Sequence, residues 1–402
     1  MIPGIMRVML MTSAEKGHLN PMVGVAQWLM DDGHDVGWLV IPEPAAQLET
    51  LGVEVVTLEG PPEAPPLVTG GEALARLVLD AEALRGWIRM LLLEAVPGQV
   101  DGVRAAIRGF RPDVMALDGM LYQGVIAAQA EGIPYAGVSS ALTLLEPPEL
   151  DFELIRTIRS LAAGRVELFA RYGLAPQFRT CECLSPHLNV IFATEALVGP
   201  DAAVPPRTVL VGPSRPRGRR GDEPPFPWER LPAEGPLVYV SFGSQISWQP
   251  QIFATVIEAS RDLGVRLVLT AGDLVDTEFT RNLPDHVTAV RYAPQHAILE
   301  RAAAFVSHGG ANSVMEAMDH GVPLLLIPVC NDQPVQAHFL AKAGAGLSLD
   351  RRRLTAEGCR EALAALLDPD GAPRRNARRV QASYRERDGA REAARLIAEL
   401  AT

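Results

Sequence analysis

The sequence holds little of what marks several common classes of protein. Of its 402 residues four are cysteine, and Cys181, Cys183, Cys330 and Cys359 are too scattered for a disulfide framework. Cys181-x-Cys183 has no second ligand pair to complete a zinc site. Cations are in deficit, with 37 Lys and Arg against 48 Asp and Glu and a formal net charge of −11. A chain so acidic is repelled by nucleic acid and by anionic membrane surfaces, and it carries no nucleic-acid-binding motif. No apolar run approaches the ~20 residues that cross a bilayer, so no stable membrane insertion is expected. The apolar run at the N-terminus is short and followed directly by charge, so it reads as a buried first strand and not as a secretory signal. The reducing cytoplasm is the expected location.

What is present is a globular composition, 48% hydrophobic and 21% charged. At ~100–200 residues per domain, the length predicts two or three domains. Short apolar strands alternate with helical patterns: Arg7–Thr12, Asp35–Ile41, Val53–Leu58, Val114–Leu117, Tyr135–Ser139 and Val190–Ala193. Asn20 is predicted to cap the first helix, with Pro21 at its first position. Residues 212–236 are dense in Pro, Gly and charge, as a linker is. The rhythm then restarts with Leu237–Phe242, Arg266–Thr270, Thr288–Arg291, Ala304–Ser307 and Leu324–Pro328. Such alternation implies an α/β protein with two doubly wound parallel sheets. The expected division is 1–211, a linker 212–236, 237–385, and a C-terminal helix at 386–402 that is a candidate for packing back on the first domain. Segments 60–95 and 140–185 break the rhythm and are candidate pocket walls.

In such sheets ligands bind beyond the carboxyl ends of the strands, so the residues just after strands matter most. After Ala304–Ser307 comes His308-Gly309-Gly310-Ala311-Asn312-Ser313, followed by Glu316. A glycine turn leading to a helix N-terminus is an anion site, because free N–H groups and the helix dipole face the ligand. Asn312 or Ser313 is predicted to open that helix. Ser313-x-x-Glu316 also fits a capping box, in which Glu316 would bond back to the Ser313 amide.

Tyr292-Ala293-Pro294-Gln295 stands upstream of this turn, and Gly321-Val322-Pro323, Pro328 and Asp332-Gln333 stand downstream. The run from Tyr292 to Gln333 resembles the nucleotide-sugar signature of the UDP-glycosyltransferase superfamily, with the steps from His308 to Ser313, Glu316 and Asp332 at the family spacing. The resemblance implies the GT-B fold, two facing Rossmann-like domains with a cleft between them. It also implies roles: Tyr292 stacking on the base, with Ala293 and Gln295 near base and ribose. His308, Gly310, Asn312 and Ser313 would sit at the diphosphate, Glu316 at the ribose hydroxyls, and Asp332 with Gln333 at the sugar hydroxyls. Ser241-Phe242-Gly243-Ser244 resembles a second phosphate-side turn, with Ser244 as donor. Ala311 departs from the Trp common in plant enzymes, which favours a bacterial type.

Gly17-His18-Leu19-Asn20-Pro21 follows the first strand, and Asp118 ends the strand Val114–Leu117. Read locally, His18 is a loop histidine and Asp118 a helix cap. The resembling family pairs a His in a Gly-His-x-x-Pro loop with an Asp about 100 residues on, which implies a catalytic dyad of His18 as base and Asp118 as its orienting carboxylate. The helix dipole is expected to help keep His18 neutral. No Asp-x-Asp stands where it could hold a metal on a diphosphate; Asp151, Asp201, Asp222 and Asp273 lack the partner.

The sequence thus predicts an inverting, metal-independent transferase. It would move a hexose from a UDP-sugar, favoured over a dTDP-sugar, to a hydroxyl of a small lipophilic acceptor. It would need no cofactor and act as a monomer or homodimer. Two alternatives stand beside this: a transferase for a membrane lipid, motivated by the basic clusters Arg351–Arg353 and Arg215–Arg220, and a catalytically silent binding or activator protein.

Overall fold

The structure is a computed structural model that describes residues 4–41, 48, 51–57, 70–218, 220, 223–232 and 234–401. The part of the 60–95 segment before residue 70 lies outside these.

Two parallel sheets organise the chain. The first is built from β1 (Arg7–Ser13), β2 (Asp35–Ile41), β3 (Glu54–Thr57), β4 (Val114–Leu117) and β5 (Tyr135–Ser139). A small antiparallel hairpin, β6 (Phe178–Arg179) and β7 (Glu182–Cys183), intervenes before β8 (Leu188–Ile191) and β9 (Thr208–Leu210) complete it. The spatial order is β3-β2-β1-β4-β5-β8-β9. The second sheet holds β10 (Leu237–Ser241), β11 (Arg266–Thr270), β12 (Val287–Val290), β13 (Ala302–Ser307), β14 (Leu324–Leu326) and β15 (Gly346–Ser348), in the order β12-β11-β10-β13-β14-β15. These are the two Rossmann-like units of a GT-B fold.

The strands are apolar on both faces because helices cover both. Val8 and Leu10 of β1 pack into one core layer, while Met9 and Met11 pack into the other. In β10, Tyr239 joins the first of those layers and Val238 and Val240 a third. This two-sided burial is why the strands read as unbroken apolar runs. β9, β15 and the hairpin are two or three residues long, too short for periodicity to register.

Strand order reverses once in each sheet, between β1 and β4 and between β10 and β13. At these switch points the loops leave in opposite directions and open a crevice. β1 and β4 are in register, Met11 opposite Leu117, so the loops after them start side by side. Ser241 is likewise opposite Ser307.

The C-terminal helix Gly389–Glu399 packs on the first long helix, Lys16–Asp31. Gly24 permits the contact: a Cβ there would stand 2.3 Å from the Arg215 carbonyl oxygen and 2.9 Å from the Ala390 Cβ. Gly86, in the helix Ala81–Arg89, has nothing within 4 Å of the same position. Gly24→Val is therefore expected to lower stability by about 1–3 kcal/mol through overpacking. Gly86→Ala should raise it by about 0.5–1 kcal/mol through helix propensity. Urea denaturation of both variants reads the difference; equal effects would mean that the terminal helix does not seat at Gly24.

Candidate active site

The first helix begins earlier than its sequence predicts. It starts at Lys16, because the Glu15 carbonyl already accepts from the amides of His18 (2.9 Å) and Leu19 (3.0 Å), and Pro21 lies inside it. A proline inside a helix removes the hydrogen bond to the carbonyl four residues back. That carbonyl belongs to Gly17, and it accepts instead from Asn312 Nδ2 of the second unit at 3.0 Å, as does the Lys16 carbonyl at 3.1 Å. The proline thus frees an acceptor through which the two halves are tied together beside His18.

Asp118 leaves β4 where the chain turns. Its Oδ1 accepts from the Met120 amide at 2.9 Å, and its Oδ2 makes a short hydrogen bond to His18 Nδ1. The turn role and the dyad therefore coexist in one carboxylate. Ser140 Oγ lies 3.2 Å from the same Nδ1, a contact no sequence motif signals. With Nδ1 so engaged, Nε2 is the nitrogen left to act, and it has no partner among the described residues.

The electrostatics overturn the expected effect of the helix dipole. Burial works against the imidazolium, but Asp118, by charge and hydrogen bond, outweighs it, with help from Glu15 and Asp332, and raises His18 to about 9. In the free protein His18 is thus held charged at neutral pH. Asp332 belongs to the second unit, so its effect on His18 is exerted across the cleft.

His308 follows β13 and is packed against the turn after β10. A Cβ on Gly243 would lie 2.9 Å from its ring, and one on Gly310 would lie 2.5 Å from its Nε2. Gly243 also has φ +73°, which L side chains rarely adopt. Burial, little offset by a backbone contact at Ser241, pushes His308 down to about 4, so it is a neutral N–H donor.

The helix after it runs Ala311–Asp319 with Gly310 as its N-cap residue. Asn312 and Ser313 lie inside its first turn and do not open it. The capping box does not form: Glu316 turns its carboxylate elsewhere. Its Oε1 accepts from Arg220 Nη1 at 2.8 Å and its Oε2 from Gln295 Nε2 at 2.7 Å. The Arg220 and Glu316 side chains are 4% and 5% exposed. Arg220 sits in the stretch between the sheets, in a basic run that reads from sequence as solvated surface.

The remaining sequence-predicted residues are placed as follows. Tyr292 is half-buried with Lys16 Nζ 3.8 Å from its ring centroid, and Ala293 is buried beside it. Ser244 is exposed at the turn after β10. Burial raises Asp332 above the usual carboxylate range. Gln333 spends its Oε1 on the amides of Val329 (2.7 Å) and Cys330 (2.9 Å), so its amide shapes that loop. All thirteen sequence-predicted residues, from His18 and Asp118 to Asp332 and Gln333, line one cleft of about 580 Å³. Trp87, Leu91 and Leu92 of the first arrhythmic segment and Thr143 and Glu182 of the second share its lining. No described helix is long and apolar enough to cross a membrane.

Residues 255–400 match the family model of the erythromycin biosynthesis protein CIII-like C-terminal domain. The oleandomycin glycosyltransferase of Streptomyces antibioticus is 28% identical over 407 residues, covering 96% of this chain and 88% of its own. The 4'-demethylrebeccamycin synthase of Lentzea aerocolonigenes is 26% identical, covering 97% and 98%. The crystal structure of the glycotransferase of kitacinnamycin superposes with a TM-score of 0.77 at 24% identity, over 99% of this chain and all of the other.

The two cleft histidines should titrate on opposite sides of 6.5. NMR is expected to give a midpoint near 9 for His18, falling in Asp118→Asn, and near 4 for His308. The stability effects differ in sign. The His18 pair contributes stability that is complete below 6.5 and is lost as pH rises through 9. Neutral His308 contributes stability that is complete above 6.5 and is lost as pH falls toward 4. A His18 midpoint at or below 6.5 would contradict the pairing.

Proposed function

We propose that this chain, a glycosyltransferase of the GT-B type, transfers a hexose from a UDP-sugar to a hydroxyl of a small lipophilic natural product, with inversion and without a metal. The observation that carries the reading is the joint opening of both switch points onto one cleft, where the His18–Asp118 pair feels Asp332 of the opposite unit. A base and a leaving-group site must be that close for one direct displacement. The relatives named for oleandomycin and demethylrebeccamycin support a natural-product acceptor, and so does the apolar wall of Trp87, Leu91 and Leu92. We divide the chain into an acceptor unit at 1–211, a linker at 212–236, a donor unit at 237–385 and a terminal helix at 386–402.

In this reading the acceptor hydroxyl gives its proton to His18 Nε2 as its oxygen attacks the anomeric carbon. The bond from that carbon to the diphosphate oxygen breaks on the opposite face, and UDP leaves with the electron pair. Asp118 stabilises the imidazolium that forms. The diphosphate charge is met by the helix N-terminus at Gly310 and by the His308 N–H, which act as fixed dipoles where a metal is otherwise used. Asp332, near the base, is suited to hold a sugar hydroxyl.

Glu316 supports a ribonucleotide. A carboxylate offers about four lone-pair sites; Arg220 takes one on Oε1, with His296 Nε2 3.6 Å from the same oxygen, and Gln295 takes one on Oε2, which leaves acceptor capacity for ribose hydroxyls. A deoxyribose offers one fewer.

His18→Ala is expected to lower kcat by about 10²–10⁴-fold, the usual contribution of a general base, while UDP affinity by calorimetry stays unchanged. His308→Ala should weaken UDP binding and slow transfer together. UDP-glucose should exceed dTDP-glucose in kcat/KM, and EDTA should leave the rate unchanged. Loss of UDP binding in His18→Ala with kcat retained would overturn the division between the halves. A metal-restored loss in EDTA would overturn the metal-free step, and equal use of the two donors would overturn the role given to Glu316.

A further inference from the structure

One buried carboxyl group in the cleft is used by none of these steps. Glu182 stands on β7, next to the loop that carries Asp118: the Cys183 amide donates to the Gly119 carbonyl at 2.9 Å, and a Cβ on Gly119 would stand 3.2 Å from the Glu182 Cβ. The hairpin turn is pinned around it. The Thr180 amide donates to Glu146 Oε2 at 3.2 Å, its carbonyl accepts from Arg165 at 2.6 Å, and its hydroxyl donates to the Thr143 carbonyl at 3.0 Å. Glu182 therefore enters the cleft lining from a fixed backbone, and it is 3% exposed.

Its two oxygens are unlike. Oε1 lies 2.8 Å from Ser139 Oγ and accepts, in a shorter bond, from Thr143 Oγ1. Oε2 has no partner among the described residues. Ser139 has a single proton to share between Oε1 and the Ala141 carbonyl, also at 2.8 Å, so Oε1 is held inside this hydroxyl network and Oε2 is the oxygen left to the cleft. Burial and the Asp118 charge, against Thr143, Ser139 and His18, raise Glu182 to about 8, so the group keeps its proton at neutral pH. Glu182 lines the cleft, where a ligand can meet its Oε2.

We propose that Glu182 is an acceptor-specificity residue, whose Oε2–H donates to a carbonyl oxygen of the acceptor and so selects hydroxyls that have a carbonyl as near neighbour. Adjacency to the Asp118 loop sets the scale: the oxygen read by Glu182 and the hydroxyl read by His18 belong to one small part of the acceptor. The assignment rests on the reading of the cleft as a hydroxyl-acceptor site.

The test uses two probes of one shape: a hydroxyanthraquinone whose hydroxyl neighbours a ring carbonyl, and the hydroxyanthracene that lacks the carbonyls. The intact protein should bind the first about tenfold more tightly, the scale of one buried hydrogen bond. Glu182→Leu should erase the ratio. Glu182→Gln, which keeps a neutral donor on the same frame, should preserve most of it. UDP titration, which reads the other half of the cleft, reports whether each variant is folded. A ratio near one in the unsubstituted protein, or a ratio unchanged in folded Glu182→Leu, overturns the assignment. Loss of the ratio in Glu182→Gln as complete as in Glu182→Leu overturns the O–H donor. Mass spectrometry of the same mixtures with UDP-glucose separates this from the underlying reading. A glycoside formed without any ratio sinks the Glu182 assignment alone, whereas binding of both probes with no glycoside sinks the hydroxyl-transfer reading.

Discussion

The reversal of strand order, once in each sheet, is the constraint from which the site follows. Between β1 and β4, and again between β10 and β13, neighbouring strands send their outgoing loops apart and leave a crevice at the carboxyl edge. His18 and Asp118 follow the first pair of strands, and Gly243 and His308 follow the second. Each pair is adjacent in space although far apart in sequence, 100 residues in the case of the dyad. The sheets need no functional instruction to achieve this. Apolar strands buried on both faces fix the register, and register fixes which loop residues meet. The join between the halves is equally local in origin: a proline inside a helix frees the Gly17 carbonyl, and Asn312 of the other unit takes it.

The same side chain is driven in opposite directions at the two switch points. Both histidines are partly or wholly desolvated, which alone disfavours charge. At His18 a buried carboxylate reverses that, and at His308 nothing of comparable strength does. One imidazole is thus tuned toward taking and holding a proton, and the other toward donating a hydrogen bond while neutral. The two buried glutamates of the cleft differ in their neighbours. Glu316 is buried against Arg220, whereas Glu182 is buried beside Asp118 and retains its proton.

Much of this was legible in the sequence, and the rest was hidden for identifiable reasons. Strands such as Asp35–Ile41 and Arg266–Thr270 were readable to the residue because their apolar runs end in abrupt turn signals. The start of the first helix was not: Pro21 reads as a first helical position, whereas it lies inside a helix that begins at Lys16, and Asn312 takes the carbonyl it leaves free. Ser313-x-x-Glu316 matched a capping box by spacing, yet the pull of a buried guanidinium exceeds that of a local amide. Arg220 itself sits in a basic run that resembles solvated surface, and nothing local announces that it turns inward. Glu182 lies in the segment where the strand rhythm fails, and its approach to the dyad depends on a hairpin of two residues per strand, below any periodic signal, whereas Ser140 directly follows β5. Gln333 is a motif residue whose Oε1 also accepts from the amides of its own loop.

If the His18–Asp118 bond sets the reactivity of the base, the pH dependence of transfer must report it. The most direct measurement is kcat/KM for a hydroxyl acceptor across the range from pH 6 to pH 10, in the unsubstituted protein and in Asp118→Asn. A base held charged up to about 9 predicts a rate that climbs with pH and levels near that value, because the imidazolium must lose its proton before it can accept one. In Asp118→Asn the plateau should be lower and the rise should move to lower pH. A profile flat from pH 6 upward, or a midpoint unmoved by Asp118→Asn, would contradict the account.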